Sequence, residues 1–261
     1  MLSALATAVR WQGKTDLGRR HVAVTASLLT ISDNAQLIAL DRQLPAAEQI
    51  YAHLKEAIVA CRLPPNAPVS ENRLCGMFGV SRSPVRIALT RLAEDGLIEI
   101  YPQRGSFVAP IKLKQVREGQ FARVAIEVGL LERAAISWSP EASRRARKEI
   151  VIQKRHAKAH DTWAFYLDNE RFHFAFAEQA GLPGVWATVQ SVKTLLDRIG
   201  HLANPVPGHM DRIIVEHVAI LDHLDAGKVA KATDAMRAHI NSVDATIARL
   251  RPLHADFFVD G

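Results

Sequence analysis

Apolar and polar positions divide the chain into three regimes. Residues 1 to about 44 mix Gly, Thr, Ser and Asp without a lasting period, and the block RQLP at 42–45 closes them. From Ala46 a helical period begins, with Ile50, Leu54, Ala57, Ile58 and Cys61 on one face. Pro64 and Pro65 cannot donate backbone hydrogen bonds and stop it. Ser70 is placed to cap a short second helix, ENRLCGMF, which Gly79 ends. Ser81 is placed to cap a third, with Pro84 in its first turn, where a missing N–H costs nothing. Val85, Ala88, Leu89, Leu92 and Leu97 carry its apolar stripe as far as Gly96. LIEIYPQRGSFVAP then reads as two short strands around Pro-Gln-Arg-Gly, a hairpin, with a linker at Pro110. From Ile111 to about Leu250 the period is helical throughout, broken at Ser139-Pro140, 181–184, 204–208 and Gly227. That predicts about six helices and no strand.

Helix, helix, glycine turn, helix and hairpin within some 60 residues outline a winged helix-turn-helix. The predicted fold class is therefore mainly α, an N-terminal winged helix-turn-helix followed by an antiparallel all-α bundle. The expected division is a poorly ordered extension at 1–44, a DNA-binding domain at 45–110, an effector-binding and dimerisation domain at 111–251, and a tail at 252–261.

Composition adds limits. The 261 residues are 48% hydrophobic with net charge +6, which allows a full core and favours an anionic partner without naming one. The two cysteines, Cys61 and Cys75, form neither a CxxC nor a zinc spacing, so a reduced, cytoplasmic setting is expected. No run of about 18 apolar residues is present, so no membrane-spanning helix is expected. GRRHVAVTASLLTIS lies too far from the start and is too polar-interrupted for an export signal, and reads as part of the extension.

The stretch GVSRSPVRIALTRL concentrates the candidate DNA chemistry. In a helix-turn-helix the second helix enters the major groove with its N-terminal residues foremost. Ser81 and Ser83 can bond phosphates beside the free N–H groups of the helix start. Arg82 and Arg86, one turn apart, can reach guanine edges bidentately. Arg104 and Gly105 at the hairpin tip suit a wing entering the minor groove. Arg91 is expected to pair with Glu94 or Asp95 or to stay solvated. An ordinary amphipathic helix with a solvated basic face would explain three arginines alone, but not the turn and the Arg-Gly hairpin with them.

Residues 46–110 also resemble the GntR family of bacterial transcription regulators, through IYAHLKEAIVACRLPP and SENRLCGMFGVSRSPVRIALTRLAEDGLIEIYPQRGSFV. The resemblance implies that Ser81, Arg82, Ser83, Arg86 and Gly105 contact DNA. Three positions depart from the family pattern: Asn66 replaces a Gly after Pro, Ile87 an acid, and Asn72 a basic residue.

In the helical half, NERFH places Asn169 and His173 four apart, on one helix face. His217 follows 44 residues on (217 − 173), and His239 a further 22 (239 − 217). Each lies in an apolar-periodic helix and is expected to face the bundle interior. Three imidazoles and one oxygen suit a divalent ion such as Zn²⁺ or Ni²⁺. Spacing alone equally allows core histidines satisfied by neighbouring backbone or acids. His156 and His160 read as a solvated face, like RRARK at 144–148, while His201 and His209 flank a Pro-rich loop within reach of the pocket.

The region 112–250 resembles the FCD ligand-binding domain of the FadR branch of that family, through VAIEVGLLERAA, NERFHFAFAEQAG, EHVAILDHLDAG and AMRAHI; six helices point to its VanR-like subgroup. The resemblance implies a metal set of Asn169, His173, His217 and His239, an effector arginine at Arg123, and a small carboxylate effector. Asn169 stands where an acid is usual, and Asp168 lies about 100° round the helix from it. The expected function is a dimeric, ligand-responsive repressor of operator DNA, not an enzyme. The alternative is a metal-dependent hydrolase using the three histidines.

Overall fold

The computed structural model describes residues 37–260; the expectations for residues 1–36 lie outside it. Leu37 to Leu44 run onto the first domain, where Ile38 is buried and its N–H donates to the Met77 carbonyl at 2.8 Å. Helix α1 (Ala46–Val59) buries Ile50, Leu54, Ala57 and Ile58, the face its apolar period foretold. After a two-residue strand β1 (Pro68–Val69) come α2 (Glu71–Phe78), α3 (Arg82–Glu94), β2 (Ile98–Tyr101) and β3 (Gly105–Val108). The sheet order is β1-β3-β2, antiparallel, with Tyr101 opposite Gly105 at the hairpin end and Val69 opposite Ser106. Strand β1 is too short to leave a period in the sequence. Asn66 adopts the left-handed backbone, φ 65°, which its short polar side chain tolerates in place of glycine.

A two-residue strand β4 (Ile111–Lys112) leads into α4 (Leu113–Ala135), α5 (Pro140–Lys158) and α6 (Thr162–Gln179). Then follow α7 (Trp186–Val192), α8 (Thr194–Ala203), α9 (His209–Asp225), α10 (Val229–Asn241) and α11 (Val243–Leu250). The expected six helices appear as six segments, two of them broken at single residues, Lys193 and Ser242. Both breaks keep near-helical backbone angles, so no turn signal marks them in the sequence. Strand β5 (Phe258–Val259) returns to pair in parallel with β4, and Phe258 is buried there. The bundle core centres on Phe172, Phe176, Leu131, Ile220, Leu221 and Met236.

Helix α4 crosses the end of α7 at Gly119, where a Cβ would lie 2.2 Å from the Val192 carbonyl oxygen. Backbone cannot yield as a flexible side chain can. Gly119→Ala is expected to cost about 1–3 kcal/mol of stability, read as a lower midpoint in urea unfolding.

Helix α8 joins the two halves. Its Arg198 is fully buried, and one terminal nitrogen donates at 2.8 Å to the Ala109 carbonyl, just before the linker. Nε and the second terminal nitrogen find no oxygen partner, with only the Cys61 thiol of the first domain nearby. Burial pushes that thiol up to about 11.

Candidate functional site

The first site is the exposed end of α3. Gly79, at φ 62°, turns the chain from α2 towards it. Ser70 caps α2 by accepting from the Arg73 N–H at 3.4 Å. Ser81 occupies the cap position of α3, but its hydroxyl makes no capping bond, so the expected side-chain cap is absent. Ser81, Arg82, Ser83 and Arg86 are all exposed, beside the open N–H groups of the helix start. Arg86 Nε pairs with Glu71 at 3.1 Å and remains 64% exposed. An exposed pair is worth at most about 1 kcal/mol, less than a good contact to a base, so it orders the guanidinium without withholding it.

Arg82, Arg104 and Gly105 line one shallow groove between α3 and the hairpin, together with Asn72 and Glu71. Gly105 takes φ 99°, backbone that a side chain would strain. Arg91 stays exposed, one of the two expected outcomes, but also gains a partner the sequence did not name. Its guanidinium lies 4.0 Å from the centre of the Tyr51 ring, and Tyr51 in turn donates to Asp95, which also pairs with Lys55. The partner sits 40 residues earlier on α1 (91 − 51), out of reach of local pattern.

The second site is built where α4, α5, α6, α9 and α10 meet. His173, His217 and His239 are buried, and one ligand atom from each lies within 4.8 Å of the others. Each imidazole has its Nδ1 against an oxygen: Glu127 at 2.6 Å for His173, Gln153 at 3.0 Å for His217, and Glu216 at 2.7 Å for His239. At His217 and His239 an oxygen acceptor fixes the proton on Nδ1 and leaves the Nε2 lone pair free, whereas His173 Nδ1 and Glu127 Oε2 lie close without hydrogen-bond geometry. Nε2 of His217 and of His239 are 3.4 Å apart, and Nε2 of His173 accepts from Arg123 at 3.3 Å. Two opposed lone pairs at that distance are favourable only with a proton or a cation between them.

Burial holds His173 down to about 4, against the pull of Glu127, and pushes His217 well below its usual value. Both are therefore neutral at pH 7, as a metal ligand must be. Burial works against the Glu127 carboxylate, but Arg123 and His173 outweigh it and hold Glu127 below the usual range. Asp168 points away: it is fully buried against His156 and Arg171. His156 is thus no solvated residue, because a buried acid one helix away claims it.

Beside the histidines opens a cavity of about 100 Å³ lined by Arg123, Asn169, His239, Tyr166, Asp197 and Arg212, among others. His209 lines it too, and burial with Arg212 beside it holds its imidazole down to about 4. Lys193, fully buried, pairs with Asp197 and with Glu170 at 2.7 Å behind the wall. Glu127, Gln153 and Glu216, which orient the imidazoles, and Arg212 were absent from the sequence reading. The signal was there in part: VRIALTRL drew attention to arginines, whereas RVAIE and RIIVE place Arg and Glu four apart on α4 and α9, two of the helices that wall the site.

His201 lies outside this lining, stacked at 5.2 Å on Trp163 and tilted at 4.5 Å against Tyr166. Its Nε2 is buried without a partner, and burial, helped by Lys193 and Arg62, holds it down to about 3. The unfolded chain binds a proton near 6.5 that the folded chain refuses until about 3. Stability is thus full above 6.5 and lost as pH falls towards 3. His201→Phe keeps the stack and is expected to reduce the loss between pH 7 and pH 4 by on the order of 2–3 kcal/mol, measured by urea titration at both values.

Residues 46–108 match the family described as bacterial regulatory proteins, gntR family, and residues 120–242 match the FCD domain. The chain is 34% identical to an HTH-type transcriptional regulator in an unstable DNA locus of Streptomyces ambofaciens, over 80% of this chain and 88% of that one. It is 30% identical to the HTH-type transcriptional repressor RspR of Escherichia coli strain K12, over 82% and 94%. Among solved structures, McbR/YncC of E. coli superposes with TM-score 0.67 at 17% identity, covering 79% of this chain and 98% of that one. A GntR transcriptional regulator from Rhodococcus sp. RHA1 gives 0.66 at 21%, covering 78% and 97%. At those identities the structures speak for the fold.

Proposed function

This chain belongs to the GntR family of bacterial transcription regulators, with an FCD domain behind its winged helix-turn-helix, and on that premise we propose a dimeric repressor released or recruited by a small carboxylate. It is a transcription regulator and not an enzyme; the hydrolase alternative finds no support in the family. Its place of action is the cytoplasm, and no described helix is long and apolar enough to cross a membrane. On this reading Ser81, Arg82, Ser83, Arg86, Arg104 and Gly105 form the DNA face, and two copies read half-sites related by a two-fold axis.

The residues fit a divalent metal, Zn²⁺ or Ni²⁺: three buried imidazoles with one ligand atom from each within 4.8 Å of the others, and Asn169 on the adjoining cavity wall as a neutral oxygen. Bound, the ion would supply positive charge beside the cavity. Arg123, braced by Glu127, would hold an effector carboxylate by charge-assisted hydrogen bonds. The observation that carries the reading is the convergence of His173, His217 and His239, with the Nδ1 atoms of the last two anchored on Gln153 and Glu216.

The test combines selection of duplexes from random sequence by the full chain with a melting screen of carboxylates on zinc-treated protein. A recovered inverted repeat and at least one stabilising acid that shifts duplex affinity are expected. Recovery of no preferred sequence would end the reading.

A further inference from the structure

The cavity is walled by two arginines in matching settings. Arg123 on α4 donates Nε to Glu127 Oε1, and Glu127 Oε2 faces His173 Nδ1 at 2.6 Å. Arg212 on α9 donates to Glu216 Oε1 at 2.5 Å, and Glu216 Oε2 faces His239 Nδ1 at 2.7 Å. Each glutamate therefore gives one oxygen to an arginine and sets the other against an imidazole of the cluster. Both arginines line the cavity. They differ in depth: the Arg123 side chain is 12% exposed and the Arg212 side chain 35%.

The bracing matters because a guanidinium held by a carboxylate loses little freedom on meeting a ligand, and its remaining N–H donors keep their direction. Arg212 also donates to His209 Nδ1 at 3.3 Å. A guanidinium can only donate, so this Nδ1 is the acceptor and the neutral ring carries its proton on Nε2. The outer part of the cavity thus holds two N–H donor groups, Arg212 and His209, that the binding of a single carboxylate at Arg123 leaves unused. Arg123 and Arg212 line the same small cavity, of about 100 Å³, so one short molecule can meet both.

We propose that the effector is a short dicarboxylate, with its inner carboxylate at Arg123 and its outer one at Arg212 and His209, and that Arg212 sets this specificity. This rests on the reading of the cavity as the effector site and narrows it to one chemical class. A monocarboxylate of equal length buries a methyl group against the Arg212 donors, and a hydroxy acid offers them one oxygen in place of two.

The experiment is a calorimetric and melting titration of zinc-treated full-length protein with malonate and succinate, against propionate, butyrate and lactate. The wild type is expected to bind the better dicarboxylate about ten- to a hundred-fold more tightly than the monocarboxylate of equal length, the worth of charge-assisted hydrogen bonds. Arg212→Gln, titrated at a zinc content matched to the wild type, is expected to bring dicarboxylate affinity down to the monocarboxylate level, with propionate and butyrate affinity unchanged. Arg212→Lys keeps the charge and is expected to restore part of the preference. Equal wild-type affinity for mono- and dicarboxylates overturns the proposal and leaves the effector site standing. So does a preference for lactate, or an Arg212→Gln variant that weakens both classes alike. Binding of none of the five acids overturns the effector site and the proposal together.

Discussion

Replacing Arg82 and Arg86 together by alanine is expected to abolish specific duplex binding while leaving the fold untouched. Both side chains are exposed and neither touches the domain core. Each bidentate contact to a base carries about 1–3 kcal/mol, so the pair predicts a loss between about 30-fold and more than 10,000-fold. Arg86 first has to leave Glu71, an exposed pair worth at most about 1 kcal/mol. Binding curves on the selected duplex and on a scrambled one separate two roles. Base contacts make the loss steep on the selected duplex and slight on the scrambled one. Phosphate contacts alone would lower both equally and flatten the salt dependence by roughly two units of slope. A double variant that binds the selected duplex like the wild type would remove α3 from the DNA face.

The second large effect is expected at His217. Zinc at a hundred times its dissociation constant should stabilise the folded chain by about 2.7 kcal/mol. That is about 5–11 °C in melting temperature for a domain of this size. His217→Ala removes one of the three converging nitrogens and should cancel the shift, with elemental analysis after dialysis finding no retained ion. Gln153→Leu leaves all three imidazoles in place but frees the ring of His217 from its acceptor, and should weaken zinc about 10–100-fold. The pair of variants distinguishes ligation from packing: His217 also stacks at 3.8 Å on Phe172, a contact the Gln153 variant does not touch. Unchanged zinc retention in His217→Ala would sink the metal reading.

The sequence made some of this legible and hid the rest for physical reasons. The three histidines stood out because each interrupts an apolar stripe, and a stripe position has nowhere to point but inward; His173, His217 and His239 are all buried. The head was legible because its turns use glycine and proline at fixed places, such as Gly79 and Pro84. What spacing could not carry was partnership across the fold. Arg91 on Tyr51, His156 on Asp168 and Gln153 on His217 join residues on different elements, where no period links them. The strand pair β4–β5 was hidden for a plainer cause: two residues make no alternation.

Arg198 bears on how the two halves of the chain can move. Swinging the head off α8 would strip the Ala109 carbonyl of its donor, and in the same motion admit water to a cation that is now under-solvated. A lost hydrogen bond in the interior and a rehydrated charge oppose each other at a similar scale, a few kcal/mol. The Arg198 guanidinium thus ties the linker to α8, and Asp197, one residue along the same helix, lines the cavity.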